Sequence, residues 1–347
     1  MAPSLLISID WRTKLKTKLL NSWNHFCGWS SSRLHFTGSA PSLGQALARH
    51  PVRVNCSPEL KGPSEMQKIS GIWVTVLVEN TVQGRGLQAE HGLSFLIRSE
   101  GECVLFDTGQ TDLLLKNAAA LEVSLEEVKA IALSHGHYDH TGGLKAARTA
   151  APSSRIYVHP AALGSKFAGN SDGSSRPVGL SDSALEILND AKQAITWTEK
   201  PTEIASGVFV TGTIPRTTSF EDTGGRFFLD EGCTQPDPLR DDQALFFDTE
   251  DGVVVLLGCS HAGVVNTVEY VRQLTSHRPI NAVIGGFHLL EASAERMAET
   301  INAVRRWNPQ RLAPAHCTGI AALIQLSSAF PDRCSACPVG TCIRFRR

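Results

Sequence analysis

Ser134-His135-Gly136-His137-Tyr138-Asp139-His140-Thr141-Gly142-Gly143 follows directly on the apolar run Ile131-Ala132-Leu133. Three histidines and one aspartate fall within the six residues from His135 to His140. Neutral imidazole and carboxylate are the natural donors for zinc, and for iron or manganese as the share of oxygen rises. A strand ending in a tight turn can aim His135 and His137 at one ion, because alternate residues share a face. Asp139 and His140 then turn toward a second ion nearby. A polar loop whose histidines bond only backbone or water has no need of this spacing, which rarely arises by chance behind a buried strand. The stretch therefore predicts a metal centre.

Composition bounds the rest of the molecule. The chain has 347 residues, 42% of them hydrophobic and 19% charged, enough for one large globular domain or two small ones. A formal net charge of -1 argues against a general polyanion binder, and no basic channel or added nucleic-acid module is visible, so no nucleic-acid partner is expected. No apolar run approaches the length of about eighteen residues that a membrane span needs. The nine cysteines are odd in number and mostly lie singly in apolar segments, which favours reduced thiols in a cytosol-like compartment. Cys334, Cys337 and Cys342 form a C-x-x-C-x-x-x-x-C cluster with no second pair or nearby histidine, and this reads as a surface-loop cluster before a structural zinc site. Residues 1–67 are basic, acid-poor and serine-rich, in keeping with an organellar (for example mitochondrial) targeting segment, an unstructured extension or a wrongly chosen start. The folded domain is expected over 68–347.

Within that domain Ile72–Val78, Leu93–Ile97 and the run into Asp107 read as a strand meander, and Ile156–His159 as a further strand. Ser124 with Glu127 fits a capping box for a short helix ending near Ala130. Residues 168–183, rich in Gly, Ser, Asn and Asp, read as a loop. Val208–Val210, Ala244–Phe247, Val253–Leu257 and Ala282–Ile284 read as strands. Val264, Val268, Val271 and Leu274, and then Met297, Ile301, Val304 and Trp307, recur at helical spacing. Leu257-Gly258-Cys259-Ser260-His261 ends the most apolar strand, and Leu312-Ala313-Pro314-Ala315-His316-Cys317-Thr318-Gly319 ends another short run. Both are places for remaining ligands.

The His-x-His-x-Asp-His pattern resembles the signature of the metallo-β-lactamase superfamily. Val104-Leu105-Phe106-Asp107-Thr108-Gly109 is similar to that superfamily's first motif. The resemblance implies an α/β (α+β) four-layer αβ/βα sandwich, with a doubly wound parallel sheet as the alternative weakened by the opening meander. It makes Asp107 a residue that holds a ligand histidine in the correct tautomer, and His316 the last histidine of the superfamily, which serves the second metal. The usual Pro-Gly-His turn is replaced by Thr211-Gly212-Thr213-Ile214-Pro215-Arg216, which has no histidine, and Cys259 stands near the place of the usual bridging aspartate. His261 can supply the missing imidazole. The expected ligands are therefore His135, His137 and His261 around one ion and Asp139, His140 and His316 around the other, with Cys259 as an alternative thiolate donor.

Ala89-Glu90-His91-Gly92-Leu93-Ser94, Gly258-Cys259-Ser260-His261-Ala262-Gly263, Gly285-Gly286-Phe287-His288-Leu289 and the His316 segment together resemble one branch of the superfamily. That branch is named after 7,8-dihydropterin-6-methyl-4-(β-D-ribofuranosyl)aminobenzene 5'-phosphate synthase, and the resemblance covers residues 68–347. One or two divalent ions are expected, zinc first, with manganese, iron or magnesium as alternatives. A metal-dependent hydrolase of a small phosphorylated or ester-like metabolite is the expected function, with Asp139 orienting the attacking water. A pterin-type transferase releasing diphosphate and a metal-binding protein without turnover are the alternatives. His91, Arg216 and His288 are candidate substrate contacts, and His159 reads as structural.

Overall fold

The computed structural model of the chain describes residues 71–99 and 101–347. The basic segment 1–67 lies outside the described residues. Ile72–Val78, Ser94–Ser99 and Glu102–Phe106 pair antiparallel as a meander, and Val128–Ala132, Arg155–Val158 and Ile195–Trp197 then add in parallel. Cys342–Phe345, near the end of the chain, closes the free edge by pairing with Ile72–Val78. A second sheet of six strands is ordered Arg311–Ala315, Ile280–Gly286, Gly252–Leu257, Leu245–Thr249, Val208–Val210 and Thr202–Ala205. Its first three strands are parallel.

Alternation along the strands sorts side chains between two interiors. Val254 and Leu256 point between the sheets, where they meet Val74, Phe95, Val104, Phe106 and Ala132, all buried. Val253, Val255 and Leu257 face the other way, onto helices Val264–Leu274, Ala294–Trp307 and Ile320–Ala329. Leu105, Ile131 and Ile156 of the first sheet likewise pack outward on helices Leu113–Ala120, Leu144–Ala150 and Asp182–Asp190. Strands covered on both faces read as near-continuous apolar runs, which is how 253–257 looks in the sequence. The result is the four-layer αβ/βα sandwich. Burying each such Val or Leu contributes roughly 1.5–3 kcal/mol, so this double packing makes the strands rigid supports for their ends.

Two local readings are corrected. Residues 124–127 are not helical. Glu126 N–H donates to Ser124 Oγ at 3.2 Å, closing a turn that leads straight into strand Val128–Ala132, and the helix lies earlier, at Leu113–Ala120. The stretch 168–183 is not a plain loop. Phe167–Gly169 and Ser175–Pro177 form a hairpin that Phe227–Phe228 joins, making a three-stranded flap, and helix Asp182–Asp190 begins before the stretch ends. The cysteine reading changes as well. Cys334 and Cys337 are buried, and these two residues and Cys342 are not gathered as a metal-binding group among the described residues.

Candidate metal centre

Parallel strands release their chains at one end of the sandwich, the usual place for ligands in such sheets. Asp107 follows Glu102–Phe106, the His135 loop follows Val128–Ala132, Cys259 and His261 follow Gly252–Leu257, His288 follows Ile280–Gly286, and His316 follows Arg311–Ala315. Asp107, Ser260, His288 and His316 all take positive φ, between 48° and 60°. Side-chain-bearing residues pay for that conformation, and a cluster of four at one edge marks a functional site. Gly258 is needed for a different reason: a Cβ there would sit 2.2 Å from Ser134 Oγ.

His135, His137 and His261 bring ring nitrogens to within 4.8 Å of one another. His135 Nε2 and His137 Nδ1 are 2.9 Å apart, and His135 Nδ1 meets Ser134 Oγ at 2.8 Å. His261 Nδ1–H donates to the Thr223 carbonyl at 2.8 Å, so its lone pair is on Nε2, which is buried and has no hydrogen-bond partner. Burial, reinforced by the neighbouring histidines, holds His135 and His261 well below the usual imidazole range, and burial takes His137 down to about 3. All three are neutral donors.

The second group lies beside the first. Asp139 Oδ2 is 3.2 Å from His316 Nε2 and 3.8 Å from His140 Nε2, and those two nitrogens are 3.2 Å apart. Cys259 Sγ approaches His140 Nε2 to 3.1 Å. Each imidazole is steered from behind. Asp107 Oδ2 meets His140 Nδ1 at 2.7 Å while its Oδ1 accepts Ser134 N–H at 2.6 Å, and Asn80 Oδ1 meets His316 Nδ1 at 2.9 Å. Burial pushes the His140 proton affinity down, but Asp107 and Asp139 outweigh it and raise the pKa to about 9. For Asp139 burial opposes ionisation, yet His140, His316 and His91 hold its carboxyl well below the usual range.

Cys317, next to His316, belongs to this side. Its sulfur, Cys259 Sγ and a His316 nitrogen lie within 4.8 Å of one another. Burial raises the Cys259 thiol, and Cys317 raises it further; Cys317 itself, although burial opposes it, is held well below the ordinary thiol range by Cys259, His288 and His316.

The supporting shell reaches further than the sequence indicates. Glu221 accepts Val265 N–H and Asn266 N–H, both at 2.8 Å, at the start of helix Val264–Leu274, where a carboxylate is favoured. Gly263, at φ 101°, leaves the room, since a Cβ would lie 2.3 Å from the Glu221 carboxyl carbon. The segment so anchored presents Thr223 O to His261 and Gly224 O to His288 Nε2. On the opposite side, buried Lys166 bridges Asp237 and Asp241 at 2.9 Å each, and Asp241 Oδ2 accepts Gly136 N–H at 2.7 Å, pinning the ligand loop.

The remaining predicted residues divide. His91 stands at the cleft mouth, its side chain 56% exposed, with Nε2 donating to Asp139 Oδ2 at 3.1 Å. His288 packs 4.3 Å from the His261 ring and lines the cleft. Arg216 is exposed, donates to Pro238 O and is not among the cleft-lining residues. His159 caps a short 3-10 turn through Ala161 N–H and meets Thr213 Oγ1 at 2.9 Å, a structural role. Glu79, whose Oε1 accepts His316 N–H at 2.7 Å, Asn80, Glu221, Lys166 and Cys317 were missed; only Glu79-Asn80, polar residues directly behind a strand, and Cys317, beside His316, carried a sequence signal.

The donor set fits a divalent cation. Imidazole nitrogens, a carboxylate and two cysteine sulfurs converge, and the buried His261 Nε2 and His137 Nε2 atoms have no hydrogen-bond partner. The metallo-β-lactamase superfamily model matches residues 87–272, and the chain belongs to that superfamily, whose fold implies divalent metal binding. Its relatives narrow the placement. The 7,8-dihydropterin-6-methyl-4-(β-D-ribofuranosyl)-aminobenzene-5'-phosphate synthase of Methanocaldococcus jannaschii is 30% identical over 270 residues, 74% of this chain and 90% of that one. An uncharacterized protein of the same organism is 33% identical over 258 residues, 73% and 93% of the two chains. A crystal structure of a metal-dependent hydrolase of the β-lactamase superfamily superposes with a TM-score of 0.67 at 30% identity, covering 80% of this chain and all of that one. This chain sits in the branch of the superfamily that bears the synthase's name.

Proposed function

We propose that this protein is a metal-dependent hydrolase of a small phosphorylated or ester-like metabolite. The observation that supports this best is the side-by-side placement of two ligand groups on the floor of an open cleft of about 730 Å³. His135, His137 and His261 would hold one ion, and Asp139, His140 and His316 a second, with Cys259 as an added thiolate donor. Zinc suits nitrogen and sulfur donors best, ahead of manganese, iron or magnesium. When bound, such ions acidify water and polarise a phosphoryl or carbonyl oxygen. The chain's own part is orientation. Asp139, held ionised by three histidines, orients the attacking water, and His91 keeps that carboxylate turned to the cleft. His91 and His288 line the space for substrate.

Protein reconstituted with zinc or manganese should hydrolyse generic phosphodiesters or lactones, and chelated protein should not. Full metal content with no turnover across such a panel would overturn the reading and favour a metal-binding protein without activity. The synthase relative supports a second reading, a pterin-type transferase. It requires diphosphate release that depends on an added arylamine, and absence of release with every acceptor tried would remove it.

A further inference from the structure

The flap over the cleft carries an unassigned cation. Across its three strands Phe227 pairs with Ala168, and Ala168 pairs with Arg176. Residues directly opposite on neighbouring strands point to the same face. The Phe227 ring shows which face this is, since it lies 5.0 Å from the rings of both His137 and His261. Arg176 is therefore turned toward the metal centre, two strands from Phe227, or roughly 10 Å away. Ala168, too small to fill the gap, leaves the space between them open, and all three residues line the cleft.

The neighbouring Arg226 is different. It also lines the cleft, but its guanidinium is engaged, lying 5.9 Å over Phe228 and donating to Asn170 O. Arg176 is exposed to the cleft and has no ion pair with a carboxylate among the described residues. The flap also has a fixed position. Val178 O accepts Tyr138 N–H from the ligand loop, and Val178 N–H donates to Lys166 O, beside the buried Lys166–Asp241 pair.

We infer that Arg176 is the anion-recognition residue of this cleft. The substrate it selects has a flat or apolar unit against Phe227, next to the scissile bond, and an oxyanion, phosphate or carboxylate, on the side away from the metal centre. A guanidinium fork suits either anion through charge-assisted hydrogen bonds. The inference rests on the cleft being the reaction site, and it moves the anion role from Arg216 to Arg176.

Three p-nitrophenyl phosphodiesters test it, their second substituent being phenyl, 4-carboxyphenyl or 4-phosphonophenyl. With zinc-loaded full-length protein, KM should be about tenfold lower for the anionic esters than for the phenyl ester at similar kcat, the worth of one charge-assisted contact. Arg176→Gln should erase that preference, while Arg216→Gln should keep it. The comparison of the carboxylate with the phosphonate shows which anion is preferred. No preference in the wild type, or an undiminished one in Arg176→Gln, overturns the inference. If none of the three esters is turned over, the wider phosphodiester and lactone panel decides the hydrolase reading separately, and calorimetric Kd values for the same three esters decide the anion subsite by the same ratio.

Discussion

The two ligand groups sit side by side but differ in charge. His135, His137 and His261 are three neutral imidazoles, steered by Ser134 and a backbone carbonyl. Asp139, His140, His316 and Cys259 carry a buried carboxylate and a thiol, are steered by Asp107 and Asn80, and adjoin a second thiol. A cation on the first side would gain coordination without charge neutralisation, whereas on the second it would meet the ionised carboxylate of Asp139. On the proposed reading, the second position is the electrostatic anchor and the first depends on the geometry of its rings.

Removing the anchor should have the largest effect. Asp139→Asn should abolish metal-dependent turnover and lower metal content at the second position, as measured by inductively coupled plasma analysis after dialysis; retained content and activity would break the comparison. Next comes the loop that both groups share. Lys166→Met leaves Asp237 and Asp241 facing each other in the interior, so unfolding free energy should drop by about 3–5 kcal/mol in denaturant titrations. The double change with both carboxylates made neutral should recover much of that loss.

Smaller effects sharpen the difference between the sides. Asp107→Asn should weaken metal affinity about 10- to 100-fold by freeing the His140 tautomer, with the second position affected and the first spared; competition with a chromophoric chelator reads both. Glu221→Gln acts on the first side alone, through the Thr223 carbonyl behind His261, and should cost at most about tenfold in affinity there. Equal losses at both positions in either variant would mean that the two groups act as one.

The contrast also explains what the sequence disclosed. His135 to His140 were legible because four donors stand within six residues, and Cys259, His261 and His316 because each closes a strongly apolar strand. The sandwich was legible from the double-sided burial of runs such as Val253–Leu257. The flap was not, since its strands have two or three residues, too few for an alternation to show, and its third strand pairs about sixty residues downstream. Helix Leu113–Ala120 was hidden by a run of leucines and alanines with little amphipathic contrast, while Ser124 and Glu127 imitated a cap. Which arginine faces the cleft depends on the pairing of Ala168 with Phe227 and Arg176, a property of register that spacing along the chain does not contain.

The proposed chemistry depends on two chemically distinct cation positions at one cleft. Anomalous diffraction at the zinc, iron and manganese edges, on crystals of protein purified without added metal, tests it most directly. One peak should be bound by His135, His137 and His261 and a second by Asp139, His140 and His316 with Cys259 in reach. No peak after zinc reconstitution, or a single ion bound by neither group, would contradict it.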